Sequence, residues 1–417
     1  LPSLAGAFGG DSLCSGLLDR ALPMLGSLRA AVEDCRHTCL GLLEAEAQAP
    51  AEQQVLRFPL GELPDLLGEH AHVVGFEADR LVQLFDTLCA RFDDIARGDV
   101  PGAELEATEQ WYAVLGQIAR RLAEISALAA AFNPVLFDAE SPQARWLGTR
   151  QVNAGVELEL CALPLLPGRL LSEMLWRRCA AAVLTSASMT AWGQFGRFIE
   201  ETGIPERSVC CRLDSPFNHF EAACLRIPRE ALDPAIGAPY VAMLVAQIPS
   251  LRDEGCGTLV LFTARRQMQA VYDGLGENQR ATVLMQGQCS KRELLARHRS
   301  AVDRGISSVI FGLASFAEGV DLPGDYCTQV VITRLPFAVP DDPLAATLSE
   351  WVRAQGGDPF RDIALPDTAR RLVQASGRLL RTEQDRGCIT VLDGRLTGRR
   401  YGKQLLASMP NYRLLTS

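Results

Sequence analysis

Apolar residues in the first third of the chain recur with the spacing of helices buried along one face. From Leu81 they fall at Leu81, Leu84, Phe85, Leu88, Phe92 and Ile95. From Trp111 they fall at Trp111, Val114, Leu115, Ile118, Leu122, Ile125 and Leu128. This i, i+3, i+4 spacing predicts two amphipathic helices with those residues turned inward. Pro50, Pro64 and the cluster Gly98, Pro101, Gly102 punctuate the region, so residues 1–135 read as an all-α bundle. Near Asn133–Pro134 the pattern changes. Val156, Leu158 and Leu160 alternate with Glu157 and Glu159, which predicts a β-hairpin over 145–163. Short Val- and Ile-rich runs follow at 181–186, 257–263, 281–285, 307–312, 328–333 and 388–393. Helical segments are expected near 191–202, 240–251, 264–276, 290–302, 343–354, 366–376 and 400–408. Runs of this kind, each followed by a helix, predict a parallel sheet covered on both faces. The fold class is therefore α/β, preceded by an all-α domain, with domains at 1–140 and 141–417. In such sheets ligands bind at the carboxyl ends of the strands, and the chemistry is sought there.

Composition narrows the class without naming a function. The 417 residues are 48% hydrophobic and 22% charged, which excludes a disordered or fibrous chain. No run of 18 apolar residues occurs, so no membrane span is expected. The start, LPSLAGAFGGDSLC, lacks the basic and apolar regions of a signal peptide, and Leu1 stands where a start would be Met. A cytoplasmic protein, cut from something longer, is expected. The net charge of −9 is uneven: residues 1–150 carry 11 Arg, no Lys and 22 acidic groups, whereas the remainder is near neutral and rich in Arg. That balance argues against non-specific coating of nucleic acid but permits a local phosphate-binding groove. The 13 cysteines are scattered and contain no CxxC, so buried free thiols are expected rather than a metal site or disulfide framework.

Four strand ends carry candidate chemistry. Thr185, Ser186, Ala187, Ser188 and Met189 close the first run with small hydroxyl residues, a source of donors or merely a turn. Phe262, Thr263 and Ala264 close the second, and Arg265 and Arg266 open the next helix, where they suit a nucleic-acid backbone or form a solvated helix start. The segment 311–324 runs from a buried strand into a loop with Ser315, Glu318, Gly319, Asp321 and Gly324. Glycine there lets the backbone approach a ligand, Asp321 suits a sugar hydroxyl, and Glu318 can brace the loop. Finally, Gln374, Arg378 and Arg381 stand at i, i+4 and i+7, with Gly377 beside them. On a helix they project from one face, and two guanidinium groups one turn apart fork onto phosphate oxygens.

The order T-S-A, F-T, S-F-A-E-G-V-D and Q-x-x-G-R-x-x-R resembles motifs III to VI of superfamily 2 helicases, in the XPD/DinG branch. The phrases LDSPFNHF (213–220), LMQGQ (284–288), SFAEGVDLPGD (315–325) and DGRLTGRRYGK (393–403), with GELPD (61–65), are similar to the DinG family. The resemblance covers essentially the whole chain and is most specific over 181–403. It implies that 1–140 is the helical arch and 141–417 a RecA-like second motor domain. It implies that Thr185, Ser186, Thr263, Arg265 and Ser315 serve DNA. Glu318, Gly319 and Asp321 would couple DNA to nucleotide and, with Gly377, bind the cofactor, and Gln374, Arg378 and Arg381 would act on ATP bound to the other motor. Ser188 stands where the family usually has Thr. The implied cofactors are ATP and Mg²⁺; the implied partners are single-stranded, forked or duplex DNA and a first motor domain, for a monomeric enzyme moving 5′→3′.

The chain contains no G-x-x-x-x-G-K-[ST] and no D-E-A-H. Gly398 to Gln404 is one residue short of the former and carries Gln404 where Mg²⁺ needs a hydroxyl. In the family the Walker motifs and a [4Fe-4S] cluster lie upstream of the arch, so neither is expected here, and the chain alone is expected to be inactive. Two other classes remain open from sequence: a non-catalytic nucleic-acid or partner-binding module, and an α/β transferase with a self-contained nucleotide site.

Overall fold

The computed structural model describes residues 12–46, 54–97, 105–133, 142–152, 155–186, 189–190, 192–338 and 342–415. The first elements are α1 (Ser12–Glu46), β1 (Val55–Phe58), α2 (Asp65–Ala96), α3 (Leu105–Ala131), β2 (Gln143–Val152) and β3 (Gly155–Pro164). Next come α4 (Gly168–Met174), α5 (Gly196–Thr202), β4 (Ala223–Arg226), α6 (Ala238–Gln247), β5 (Gly257–Leu261) and α7 (Arg265–Gly274). Then follow β6 (Val283–Met285), α8 (Lys291–Val302), β7 (Ser308–Gly312), β8 (Gln329–Ile332) and α9 (Pro343–Ala354). The last are α10 (Leu365–Ser376), β9 (Gly387–Val391), α11 (Arg400–Ser408) and β10 (Arg413–Leu415). Single turns of helix link several of these. The chain divides into two compact units: Leu1–Pro167 with Pro340–Gln355, and Gly168–Val339 with Gly356–Ser417.

In the first unit α2 packs against both α1 and α3. Leu81, Leu84, Phe85 and Leu88 are buried as their spacing predicts; the side chains of Phe92, Ile95 and Trp111 lie outside the described residues. The expected face of α3 is corrected by the structure. Leu115 and Leu122 are buried, but Val114, Ile118, Ile125 and Leu128 are 37–41% exposed. A helix seated mainly on one neighbour buries only a narrow seam, here Leu115, Leu122 and Ala129, seven residues apart. The hairpin is present as β2 and β3, joined antiparallel by β1, a strand that the helical reading of 1–135 missed.

Two cationic side chains hold this unit together. Arg145, 4% exposed, donates through Nη1 to the Gly61 carbonyl at 2.7 Å and through Nε to the Ala131 carbonyl at the end of α3. A cation at a helix carboxyl end also meets the negative pole of its dipole. On α9, the Glu350 carboxylate accepts from Arg57 at 2.8 and 2.6 Å and from the Leu60 backbone N–H at 2.7 Å. The Arg57 guanidinium holds the Glu350 carboxyl below the usual carboxylate range, against the opposing effect of burial. Leu60 itself has φ 54°, a left-handed conformation unusual for a branched side chain, and the bond to Glu350 fixes it.

The second unit is built on a seven-stranded, all-parallel sheet in the order β10-β4-β9-β8-β5-β7-β6. Leu259, Leu261, Ile310, Val330 and Ile332 enter one apolar cluster. Their neighbours Val260, Phe262, Val309, Phe311 and Val331 enter another. Both faces are thus covered, which is why these strands read as unbroken apolar runs. The runs at 257–263, 281–285, 307–312, 328–333 and 388–393 all became strands. The run at 181–186 did not: it carries no regular secondary structure, and Val183 is 93% exposed. Helix α5 occupies only the end of the expected segment 191–202. Strands β4 and β10, of 4 and 3 residues, were not anticipated.

Of the described cysteines, Cys35, Cys39, Cys224, Cys327 and Cys388 are buried free thiols, whereas Cys179, Cys210 and Cys211 are exposed. Among the described residues no His, Cys, Asp or Glu cluster forms a metal site, and no helix is long and apolar enough to cross a membrane.

Candidate ATPase-coupling and nucleic-acid site

The carboxyl ends of β5, β7 and β8 open onto a cavity of about 380 Å³. Of the residues predicted from sequence, Thr263, Ser315, Glu318 and Gln374 line it. Arg334, Phe337 and Arg371 line it as well, and sequence reasoning missed them. Their signal was present: Arg334 and Phe337 directly follow the apolar run 328–333, and Arg371 lies one turn before Gln374 on α10.

The loop after β7 is held from several sides. Gln286 accepts from the Leu313 N–H at 2.8 Å and donates to the Ser315 hydroxyl at 3.0 Å. Lys291 donates to the Ser315 carbonyl at 2.8 Å, with its ammonium 5.1 Å from the centre of the Phe316 ring. Arg299 donates to the Asp321 carbonyl at 2.8 Å. Arg378 donates through Nε to the Ala317 carbonyl at 2.6 Å and through Nη1 to the Val320 carbonyl at 2.9 Å. Arg381 donates to the same Val320 carbonyl at 2.8 Å. Gly319 turns the loop with φ 66°, where a side chain would be strained.

The two late arginines do not share a helical face with Gln374. Helix α10 ends at Ser376, Gly377 caps it, and the chain then turns inward to bury Leu379 and Leu380. Gln374 therefore stays at the cavity, while Arg378 and Arg381 leave the helix and grip the 317–321 loop. Burial, then the neighbouring Arg381, lowers the pKa of Arg378; a guanidinium nonetheless stays charged. The Nε of Arg381 is buried, makes no hydrogen bond and lies 3.5 Å from the exposed Asp321 carboxylate. No described carboxylate cluster fits Mg²⁺.

Asp385 ties these pieces together. Its carboxylate accepts from the N–H groups of Gly324, Arg381 and Thr382 and from the Thr382 hydroxyl at 2.6–3.1 Å. Burial alone would raise its pKa; the Thr382 hydroxyl and the backbone donors outweigh this and hold it below the usual value. A carboxyl with a lowered folded-state pKa stabilises fully above its unfolded pKa and loses that contribution as pH falls through the folded value. Asp385→Asn is expected to cost about 1–3 kcal/mol near neutrality. Urea midpoints of the two proteins should converge below about pH 4; parallel midpoints from pH 3 to 6 would refute this.

The remaining predicted residues lie elsewhere. Arg265 is exposed at the start of α7, its guanidinium beside Gly287. Thr185 and Ser186 are exposed and do not line the cavity. Ala187 and Ser188 fall outside the described residues.

An all-parallel sheet covered on both faces, with a glycine-turned loop at its strand ends held by two arginines, is an α/β fold of the RecA-like class. Residues 250–412 match the helicase C-terminal domain family. Over 366 residues, 86% of this chain and 52% of the relative, the sequence is 32% identical to the ATP-dependent DNA helicase DinG of Photobacterium profundum. It is 31% identical over 373 residues to that of Salmonella typhimurium, covering 87% of this chain and 51% of the relative. The S. tokodaii Xpd4 structure superposes with a TM-score of 0.51 and 13% identity, covering 96% of this chain and 71% of that one, which speaks for the fold alone. The chain is related in sequence to the DinG helicases, and it spans about half the length of the curated relatives it matches.

Proposed function

We propose that this chain supplies the arch and second motor domain of an ATP-dependent DNA helicase that moves 5′→3′ along single-stranded DNA and opens forked or duplex DNA. The observation that carries the reading is the grip of Arg378 and Arg381 on the loop that lines the strand-end cavity. One loop then meets DNA through Ser315 and the nucleotide side through Glu318, Gly319 and Asp321, so a change at either is felt at the other. ATP with its Mg²⁺ would be seated on a first motor domain, and this chain would offer it Gln374 and the two arginines across a cleft. The segments around Val183 and Val209, which carry no regular secondary structure and whose valines are 93% and 94% exposed, have apolar character suited to parallel strands. In this reading they join the first motor's sheet and bring Thr185 and Ser186 to the DNA. The enzyme would be a cytoplasmic monomer, with any [4Fe-4S] cluster carried by polypeptide other than this chain.

The test compares two proteins. The chain alone is expected to show no ATP turnover with or without single-stranded DNA, because it holds only the arginine half of the site. A protein joining it to a Walker-bearing motor domain of the family should hydrolyse ATP in a DNA-stimulated manner and unwind a forked duplex. DNA-stimulated turnover by the chain alone, or none by the joined protein, would contradict the proposal.

A further inference from the structure

Beside the strand-end cavity three aromatic rings pack together. Phe337 stacks on Phe360 with centroids 5.8 Å apart and planes 24° apart. Tyr401 sets its ring edge-on to both, at 5.8 Å and 5.3 Å. The Arg395 guanidinium sits 5.4 Å from the Phe337 centroid and pairs with the buried Asp393. Phe337 belongs to this cluster and to the cavity wall alike. Phe360 is braced by two rings and is still 40% exposed.

The sheet order places these groups in a row. β9, β8, β5 and β7 are successive neighbours, and their carboxyl ends present Arg395, then Arg334 with Phe337, then Thr263, then Ser315. At about 4.8 Å per strand the row is about 14 Å long. The ionisable groups lining the cavity are Arg334, Arg371 and the single carboxylate Glu318. At the aromatic end Asp393 and Asp233 are ion-paired to Arg395 and Arg399. Hydroxyl and guanidinium donors at one end, and a rigid, exposed ring at the other, are what a single-stranded nucleic acid requires: phosphates are held by donors, and bases stack on aromatic faces.

We infer that the single-strand track along these strand ends continues onto the Phe337–Phe360–Tyr401 cluster, where a base stacks on Phe360. This rests on the helicase reading and adds a base-stacking subsite to it. A ring already immobilised by its neighbours loses little freedom when a base covers it, so Phe360 is the position where truncation should be felt.

The test uses the full chain and a labelled oligothymidylate, followed by fluorescence anisotropy. Phe360→Ala is expected to weaken binding about tenfold, with its thermal unfolding recorded alongside. An abasic strand of equal length should bind the unaltered chain about tenfold more weakly than oligothymidylate, whereas Phe360→Ala should bind both equally. Phe360→Trp should keep its affinity and show quenching by oligothymidylate beyond that of the chain's 5 native tryptophans. Unchanged affinity in Phe360→Ala, or an unmoved Trp signal on a strand that is bound, would overturn the stacking subsite while leaving the helicase reading intact. Failure of the unaltered chain to bind oligothymidylate at all would remove the DNA-binding premise and this subsite with it.

Discussion

Replacing Arg378 by alanine in a two-motor protein carrying this chain is expected to lower DNA-stimulated ATP turnover by about 10³-fold or more, with single-strand affinity changed little. The magnitude is that of an arginine stabilising charge on a transferred phosphoryl group. In the structure its Nε and Nη1 hold the Ala317 and Val320 carbonyls, a bracing task distinct from the proposed one. The two tasks separate by comparison with Arg299, which braces the same loop through the Asp321 carbonyl but is not one of the two late arginines. Arg299→Ala should slow turnover by no more than about 150-fold if bracing contributes only one charge-assisted hydrogen bond of about 1.5–3 kcal/mol. Arg378→Lys keeps the charge, loses the fork and should stay close to alanine. Steady-state turnover and anisotropy on the same preparations decide it. Equal loss of turnover and DNA affinity in Arg378→Ala would reduce the residue to a loop brace.

Asp393→Ala is expected to destabilise the α/β unit by about 2–4 kcal/mol, because it leaves a half-buried guanidinium and the buried Leu335 N–H without their acceptor. Asp393 is fully buried at the end of β9. One oxygen accepts from the Leu335 N–H at 2.8 Å and from Arg395 Nη2 at 2.7 Å. The other accepts from the Arg395 N–H and Nε, both at 3.0 Å. Burial alone would depress the Arg395 pKa; the bond to Asp393 reverses that and raises it. The carboxylate therefore joins the ends of β8 and β9 and sets the course of the chain through Arg334 and Phe337. Asp393→Asn retains an oxygen for Leu335 and should lose less. Urea unfolding followed by circular dichroism measures both, and a loss below about 1 kcal/mol in Asp393→Ala would show that Arg395 finds water instead.

The central strands were legible because burial on both faces leaves no polar alternation, and β5, β7, β8 and β9 show this in one dimension. β4 and β10 were not, since 4 and 3 residues carry too little pattern. The candidate site residues were legible as kinds of chemistry at strand ends, and Thr263, Ser315, Glu318 and Gln374 do meet at one cavity. Their partners were not legible. The helix ends at Gly377 as the expected segment 366–376 does, but placing Gln374, Arg378 and Arg381 on one face required it to continue, and that end turns Arg378 and Arg381 toward the loop.

Sequence by itself determined most of the helices, most of the apolar runs that are covered on two faces, and which side chains carry charge or a hydroxyl at the strand ends. Those properties depend on neighbours a few residues away. Only the tertiary structure decided that residues 181–186 form no strand, that α9 packs on β2 through a unit it does not adjoin in sequence, and that Phe337, Phe360 and Tyr401 meet. A strand needs a second strand to bond to, and a contact between residues far apart in the chain is set by how the elements pack, which no local spacing encodes.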